Sequence, residues 1–418
     1  MTPSKLFQIG MVAGGVWLCL FIAQRGAQPF RSNLPKDAPQ ISEEMPIARA
    51  TLFDSGAVAP GFTLYPELGN ASVQLLGPLG KIVHRWPIDA TRARLLPSCN
   101  LLVLHGSKWG LEQPRWSALS NVLREYSWDG EVEWEYKDRF RLHHDAQKLP
   151  SGNYLALRKT EVGAREKRKL LDDPKKRVLK FRSDEVIEID PLGNVVWQWI
   201  AHRHLDLNSC GRARCMLNEK ILKGQDEFDW SHVNTVRTLP PNRWFDEGDT
   251  RFRPGNLLVM PRNLWKVFLV DRASKEVVWS YGGDFKGGLE GGHEPYMISK
   301  GLPGEGNILV FDNGRKRGAS LILEIEPPSK RVVWNYFDGY RFFSASAGSM
   351  QRLKNGNTLI AEDRSGRVFE VTRDKKIVWE YRGNGMRTAR PSRYESNYCP
   401  ELSRLWSEES SFEDALES

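Results

Sequence analysis

Short apolar strands alternate with turn residues over most of this 418-residue chain, and two patterns recur in a fixed order. The first is an Asn or Gly-Asn turn followed by an apolar strand, and its copies stand at Asn100, Asn153, Asn256, Asn307 and Asn357. The second is a later strand with aromatic residues at positions i and i+2, as in Trp134/Tyr136, Trp197/Trp199, Trp279/Tyr281, Trp334/Tyr336 and Trp379/Tyr381. Residues two apart lie on one face of a strand, so each pair can pack between neighbouring sheets.

A degenerate first copy runs from Gly61 to Trp86, so six tryptophans mark six repeats. The shortest interval, from Trp334 to Trp379, matches the length of a four-stranded propeller blade, and the longer intervals need loop insertions. No copy contains a long amphipathic helix. The pattern predicts an all-β, six-bladed β-propeller over residues 51–400. A parallel β-helix is the main structural alternative, but its repeats are usually much shorter.

The first apolar segment differs from all the others, because residues 6–23 (LFQIGMVAGGVWLCLFIA) form one nearly unbroken run. Eighteen helical residues span about 27 Å, close to the hydrocarbon thickness of a bilayer. The exit, Phe21 to Arg25, lacks the small residues of a cleavage site. We therefore predict a transmembrane signal-anchor at residues 1–27 and a spacer at 28–50. The body then lies outside the cytoplasm, in the periplasm if the source is Gram-negative. A cleaved signal peptide is the alternative, and it also exports the body.

The net charge of +8 has a local origin. Residues 158–182 carry eleven Lys and Arg against four Asp and Glu, which is +7. One insertion within one repeat therefore accounts for nearly all of the excess, and we expect no nucleic-acid groove. This basic insertion either faces anionic lipid, attracts an anionic substrate or is simply solvated.

The five cysteines form no zinc-type spacing and are too few for a disulfide scaffold. Cys210 and Cys215 close a short loop, and in an oxidising compartment they are a candidate disulfide, with two free thiols as the alternative. Cys99 and Cys399 can pair only if the C-terminal segment returns to the first full blade. We expect residues 387–398 to cross a mouth of the propeller, and the acidic tail at 401–418 to fray.

Histidines recur in register in three successive repeats. His143 and His144, His232, and His293 each precede a Gly-Asn strand. In a propeller the first strand of each blade lines the central channel, so these residues are expected to meet at one mouth. A histidine that only donates hydrogen bonds to local carbonyls is not expected at the same position in three successive repeats.

Other polar groups stand close to these histidines. His232 and Asn234 are two apart in an extended segment, and Arg262 follows the strand 257–261. Imidazoles with an amide and a guanidinium, and few carboxylates, suit a tetrahedral oxyanion better than a divalent metal. A zinc site of three histidines is the rival interpretation.

Four segments resemble the bacterial arylsulfotransferase family: 143–153 (HHDAQKLPSGN), 229–236 (DWSHVNTV), 292–314 with GNILVFDNG at its end, and 351–360 (QRLKNGNTLI). The resemblance covers roughly residues 60 to 400. It implies a six-bladed propeller that moves a sulfuryl group from an aryl sulfate to a phenol, without the nucleotide sulfate donor and with no cofactor or metal.

Carried over to this sequence, the resemblance implies that His293 is the nucleophile, which forms a sulfohistidine. It also implies that the sulfate-holding residues are His143 or His144, His232, Asn234 and Arg262. Two departures stand out. Glu294 directly follows the nucleophile, and a carboxylate there is expected to weaken binding of an anionic donor. The loop 241–254 also lengthens the separation between Asn234 and Arg262.

Two other functions fit a tryptophan-rich propeller. One is a non-catalytic, membrane-tethered binding or assembly protein, in which an insertion loop carries the partner site. The other is a quinone-dependent dehydrogenase, but the sequence has no adjacent cysteine pair and no carboxylate cluster for calcium.

Overall fold

The computed structural model describes residues 50–209, 211, 218–383 and 385–417, with side chains described up to residue 408. The predicted signal-anchor at 1–27 and nearly all of the spacer at 28–50 lie outside the described residues, as do Cys210 and Cys215. Within the described part of the chain, no helix is long and apolar enough to cross a membrane.

Six sheets, each of four or five strands, form the body, and the predicted all-β six-bladed propeller is confirmed. The blades are numbered 1 to 6 in chain order. Blade 1 contains β2 (Phe62–Leu68), β3 (Ser72–Leu76) and β4 (Ile82–Trp86), and blade 2 contains β5 (Arg92–Leu95), β6 (Leu101–Leu104), β7 (Val122–Tyr126) and β8 (Val132–Lys137). Blade 3 contains β9 (Leu142–Lys148), β10 (Tyr154–Glu161), β11 (Phe181–Ile189) and β12 (Val195–Ile200), with β13 (Phe228–Asp229) parallel to β11. Blade 4 contains β14 (Val233–Thr238), β15 (Leu257–Pro261), β16 (Val267–Val270) and β17 (Val277–Tyr281). Blade 5 contains β18 (His293–Met297), β19 (Ile308–Asp312), β20 (Leu321–Glu326) and β21 (Arg331–Tyr336). Blade 6 contains β22 (Ser349–Arg352), β23 (Thr358–Glu362), β24 (Arg367–Val371) and β25 (Ile377–Arg382).

Strands from the first and last parts of the described chain close the ring. The N-terminal β1 (Leu52–Phe53) pairs with β25 at the outer edge of blade 6. The C-terminal β26 (Arg387–Thr388) and β27 (Ser392–Tyr394) pair with β2, and they supply the innermost strand of blade 1. The first repeat looks degenerate in the sequence because its fourth strand comes from the other end of the chain. Closure of this kind leaves no unpaired edge at the junction.

The six repeat tryptophans join neighbouring blades. Each donates its indole N–H to a carbonyl in the turn between the third and fourth strands of the next blade. The pairs are Trp86 with Ser127, Trp134 with Pro191, Trp197 with Arg272, Trp279 with Pro327, Trp334 with Arg373 and Trp379 with Pro78. The last pair runs from blade 6 to blade 1. The repeat tryptophan therefore makes the same contact at every junction between blades in the ring. A buried indole N–H needs such a partner.

The repeat asparagines have a structural role within their own blades. In four blades the Asn at the start of the second strand donates its amide N–H to a Glu on the third strand, in the pairs Asn100–Glu125, Asn153–Glu188, Asn307–Glu324 and Asn357–Glu370. These contacts hold the turn that the Gly-Asn motif begins. The motif therefore belongs to the scaffold and not to the site.

The described helices are short except the last, and they are α1 (Pro114–Ser117), α2 (Ala164–Leu170), α3 (Ala201–His204), α4 (Glu219–Leu222), α5 (Arg243–Asp246) and α6 (Pro400–Glu417). Helix α6 occupies the acidic segment that we expected to fray. Leu402 is buried in it, and the ring of Trp406 lies 5.8 Å from that of Phe62. A disulfide joins Cys99 to Cys399, with Cα atoms 5.5 Å apart, so the C-terminal segment does return to blade 2.

Candidate functional site

The histidines of three blades meet at one mouth of the channel. His143 and His144 stand at the start of β9, His232 immediately precedes β14, and His293 is the first residue of β18. Together with Arg262 they line one cavity of about 660 Å³. We call this cavity the histidine mouth.

Backbone irregularities turn these side chains toward the cavity. His144 and His232 adopt the left-handed conformation, with φ of 60° and 48°, and so does Glu294 after His293, with φ of 52°. The pairing of the innermost strand shifts register in the same three blades, whereas β5 and β22 pair with their neighbours without a shift. A bulge re-aims side chains, and it commonly does so beside functional sites.

Both ring nitrogens of His293 have partners. Its Nδ1 lies 2.5 Å from Oδ1 of Asn313, and its Nε2 accepts a hydrogen bond from the Ala347 N–H at 3.2 Å. The Asn313 amide nitrogen donates to the carbonyls of Ser344 and Ala347, so its oxygen must face the histidine. His293 therefore carries its proton on Nδ1, and Nε2 holds the lone pair.

The imidazole of His293 stays neutral at physiological pH. Burial lowers its pKa well below the usual value, and the positive charges of Arg390 and Arg262 lower it further. The hydrogen bond with Asn313 opposes this shift but does not reverse it. A neutral imidazole whose Nε2 carries no proton is the nucleophilic form of histidine.

The paired histidines form a chain that starts at Asp184. Nε2 of His143 lies 3.2 Å from Oδ1 of Asp184, and Nδ1 of His143 lies 2.7 Å from Nδ1 of His144. The ring of His144 is 4.9 Å from that of His232. Burial and the surrounding imidazoles lower the pKa of His144 well below its usual value. His143 thus lies between a carboxylate and His144, and His144 faces the histidine of the next blade.

His232 is oriented by a carboxylate of its own. Its Nδ1 hydrogen-bonds Asp229, which also pairs with Arg182. Burial lowers the pKa of His232 despite this carboxylate, and the charge of Arg262 adds to the effect. For Asp229 burial favours a higher pKa, but His232 and Arg182 hold it well below the usual range. His232 therefore presents Nε2 with Nδ1 fixed, as an oriented imidazole does in many active sites.

Arg262 begins a 3₁₀ turn directly after β15, and its backbone N–H donates to the His232 carbonyl at 3.1 Å. Burial lowers its pKa to about 10, so the guanidinium remains charged. The long loop 241–254 does not carry Arg262 away. It folds into α5 and a 3₁₀ turn (Thr250–Phe252), and β15 still pairs with β14.

Asn234 is not among the residues that line the histidine mouth. Its side chain is fully buried, donates to the Gly292 carbonyl at 3.0 Å and accepts from the Thr235 hydroxyl at 3.0 Å. The expectation that His232 and Asn234 share a face rests on regular strand alternation. The left-handed His232 and the register shift between Val233 and Val236 break that alternation.

Several lining residues had no signal in the sequence. Asp363, at the end of β23, is buried, and one of its carboxyl oxygens has no hydrogen-bond partner among the described residues. Burial raises its pKa to about 7. Arg390 lies between β26 and β27, and its backbone N–H donates to Asp363 at 3.2 Å. Only the expectation that residues 387–398 cross a mouth pointed to this region.

Glu294 does not face the cavity as an uncompensated carboxylate. It pairs with Arg92 at 2.6 Å, Arg237 at 2.7 Å and Arg390 at 2.9 Å. Burial favours a higher pKa for Glu294, but the three guanidiniums hold it well below the usual value. The expected conflict with an anionic donor is thereby removed, since the charge of Glu294 is more than balanced.

This ion cluster divides the channel in two. Asp145 joins it through Arg92 and Arg94, at 3.2 Å and 2.8 Å. Beyond it a second cavity of about 620 Å³ is lined by the far ends of the innermost strands and by the Leu-Pro turns that follow them. We call this second cavity the opposite mouth. Among the described residues, no group of three or more His, Cys, Asp or Glu side chains could hold a metal ion.

The chain is similar to known proteins at two levels, a sequence family and solved structures. The family model described as arylsulfotransferase (ASST) matches residues 121–384. No curated protein matches. Among solved structures, a protein of unknown function from Bacteroides caccae is 14% identical over 82% of this chain and 99% of its own, with a TM-score of 0.47. Virginiamycin B lyase from Staphylococcus aureus is 10% identical over 70% of this chain and 69% of its own, with a TM-score of 0.36. The family match covers well over half of the chain, which therefore belongs to the arylsulfotransferase family.

Proposed function

From membership of the arylsulfotransferase family, we propose that this protein transfers a sulfuryl group from an aryl sulfate to a phenol through a sulfohistidine on His293. The observation that carries the proposal is the convergence of His143, His144, His232, Arg262 and His293 on one cavity. Arg262 offers a sulfonate positive charge, His144 and His232 can donate hydrogen bonds to it when they carry a proton on the nitrogen that faces the cavity, and His293 is a neutral nucleophile.

In the first half-reaction Nε2 of His293 attacks sulfur. The N–S bond forms, the ester S–O bond breaks, and the aryl group leaves as a phenolate. Phenols have a pKa near 10, so this leaving group needs little help from an acid. The hydrogen bond from the Ala347 N–H to Nε2 must open first, since it occupies the attacking lone pair.

The proton on Nδ1 stays in place throughout. The sulfohistidine is then a cationic ring, and the Asn313 oxygen that accepts from Nδ1 stabilises it. Arg262, His144 and His232 hold the sulfonate oxygens as negative charge moves among them. Asn234 has a positioning role, because it holds the Gly292 carbonyl immediately before the nucleophile.

In the second half-reaction an acceptor phenol replaces the first product. Its oxygen attacks sulfur, its proton passes to solvent, and the N–S bond breaks to restore neutral His293. The two half-reactions share one site, so the kinetics are ping-pong.

The test is phenol-dependent release of nitrophenol from 4-nitrophenyl sulfate by the purified protein. We expect turnover by the unmutated protein and none above background by His293→Ala. His84→Ala is the matched control, because His84 is a half-buried histidine on β4, outside the cavity, and it should retain full activity. Absence of phenol-dependent release from the unmutated protein would contradict the proposal.

The second candidate function is a binding or assembly propeller without catalysis. The basic insertion favours it, since α2 and its flanks present a strongly charged surface outside the blades. This alternative predicts that His293→Ala leaves cellular function intact. Removal of the charges on α2 would then abolish function, and the transfer proposal predicts the reverse for both variants.

We also propose that residues 1–27 anchor the body outside the cytoplasm. The Cys99–Cys399 disulfide supports an oxidising location, because such bonds seldom persist in the cytosol. Full-length protein should need detergent for extraction, and a chain that begins at residue 28 should not. Alkylation in intact cells should leave both cysteines unlabelled until a reductant is added, and immediate labelling would contradict the proposal.

A further inference from the structure

One wall of the histidine mouth carries three cations from blade 3. Arg141 directly precedes β9, Lys159 lies on β10 and Arg182 lies on β11, and all three line the cavity. Arg141 and Lys159 are neighbours, because the Lys159 N–H donates to the Arg141 carbonyl at 3.0 Å. The wall thus continues from the paired histidines along the inner edge of the basic insertion.

Two of the three cations lack a counter-charge. Arg182 pairs with Asp229. Among the described residues, no carboxylate lies within 4.0 Å of the charged nitrogens of Arg141 or Lys159, and the buried Nε of Arg141 has no hydrogen-bond partner. Burial lowers the pKa of Lys159, and the charges of Arg182 and Arg141 lower it further. Unpaired, partly buried cations are costly to hold unless an anion joins them.

Solvation does not account for these two residues. Lys180 belongs to the same basic insertion and is exposed to solvent, as a merely solvated charge should be. Arg141 and Lys159 are both half-buried and face the cavity. Their position therefore indicates a ligand and not only solubility.

The charge balance exceeds what an aryl sulfate needs. A sulfate monoester carries one negative charge, and the proposed mechanism already gives it Arg262 with two histidines. Arg141 and Lys159 then remain as two further positive charges on the same wall, and the carboxyl groups that line the cavity, Asp184 and Asp363, are outnumbered by its cations. Electrostatic complementarity calls for more negative charge on the ligand than one sulfate supplies.

We propose that the physiological substrate carries a second anionic group, a carboxylate or a further sulfate on the aromatic scaffold, held by Arg141 and Lys159. This inference rests on the proposed function, whose transferred group occupies Arg262 and the histidines. It restricts the substrate class from simple phenols to anionic ones.

The test is the calorimetric measurement of arylsulfonate binding. An arylsulfonate has a C–S bond in place of the S–O ester bond, so its sulfonate group cannot be transferred. The probes are 3-sulfobenzoate, 4-sulfobenzoate and 4-sulfophenylacetate, each beside its neutral carboxamide. In the unmutated protein at low salt we expect at least one acid to bind about tenfold or more tightly than its amide. A single well-placed charge pair of about 1.4 kcal/mol gives that factor.

The preference should fall below about threefold in Arg141→Gln and in Lys159→Gln, while amide binding changes little. Lys180→Gln is the matched control and should keep the full preference. Equal binding of acids and amides, or a preference that survives both variants, would overturn the inference.

Failure of the proposed function is separable from failure of this inference. If nitrophenol release fails while the acids outbind their amides, the transfer reaction is refuted and the anion subsite stands. If transfer succeeds and no acid binds more tightly than its amide, the anion subsite is refuted and the transfer reaction stands.

Discussion

The two mouths of the channel have nearly equal volumes, but among the described residues histidines line only one of them. At the histidine mouth, imidazoles and guanidiniums face the cavity, and two cations there have no counter-charge among the described residues. At the opposite mouth three tyrosines contribute to the lining, and each of their hydroxyls is hydrogen-bonded to backbone, Tyr296 to Arg352, and Tyr394 and Tyr398 to Leu95.

The contrast arises at the two ends of the same strands. Each innermost strand begins at the histidine mouth and ends in a Leu-Pro turn or its equivalent at the other. In blades 3, 4 and 5 the register shift of the innermost strand falls near its beginning, where His144, His232 and Glu294 are left-handed, and the far end pairs regularly. Backbone irregularity, rather than cavity size, therefore distinguishes a chemical site from a structural depression.

The largest effect is expected at the ion cluster that divides the channel between the two mouths. Glu294→Gln removes the carboxylate that pairs with three buried guanidiniums. Breaking a buried ion pair costs about 3–5 kcal/mol of unfolding free energy. Urea unfolding measures this loss. Glu326→Gln, which breaks an exposed pair with Arg331, is the control and should cost less than about 1 kcal/mol. Equal losses in the two variants would show that the buried ion cluster of Glu294 contributes no more to stability than an exposed ion pair.

The next effect is catalytic. Arg262→Ala should lower kcat about 10²–10³-fold, because one preorganised donor to the sulfonate is lost. The fold should remain intact, since the guanidinium makes one side-chain hydrogen bond, to its neighbour Asn263. Steady-state transfer kinetics measure the change, and Arg262→Lys should recover part of it. A change in kcat of less than twofold would show that Arg262 does not stabilise the sulfonate during transfer.

Asp363 supplies a pH-dependent test at the histidine mouth. Its folded pKa is about 7, above the ordinary value of 3.8, because burial favours the neutral acid. The neutral carboxyl of Asp363 is therefore accommodated at no cost to folding below about pH 4. The free energy of unfolding then falls as pH rises through 7, because only the unfolded chain ionises this group freely. Between pH 4 and 8, the unmutated protein should lose on the order of a few kcal/mol relative to Asp363→Asn. Unfolding measured at several pH values tests this, and a pH-independent difference would contradict it.

The smallest effect is expected at the opposite mouth. Lys148 lines that cavity and pairs with Glu125 near the surface. Lys148→Gln should change kcat and KM for transfer by less than about twofold, because the ion cluster separates it from the reacting groups. A tenfold loss of activity would show that both mouths serve the reaction.

Much of the scaffold follows from local pattern. The six tryptophans identified from sequence spacing are the residues that join neighbouring blades. The register of His143, His232 and His293 before the Gly-Asn strands also predicts that they share one mouth. Both inferences need only strand alternation and the propeller's common inner ring, and neither depends on an individual contact.

Other features depend on contacts between distant parts of the chain. The first blade takes its innermost strand from residues 387–394, and Cys399 reaches Cys99 from the same segment. Arg390 enters the site by that route. Glu294, which from sequence alone is expected to weaken donor binding, meets guanidiniums from three other blades. Charge at one position carries no information about partners hundreds of residues away.

The sequence by itself determined the six repeats, the all-β class and the histidines placed at one mouth, because these depend on periodicity along the chain. Only the tertiary structure decided which side chains face the cavity. Asn234 turns away and Arg141 and Lys159 turn in, because left-handed residues, bulges and ring closure reorient side chains in ways that a two-residue alternation cannot encode.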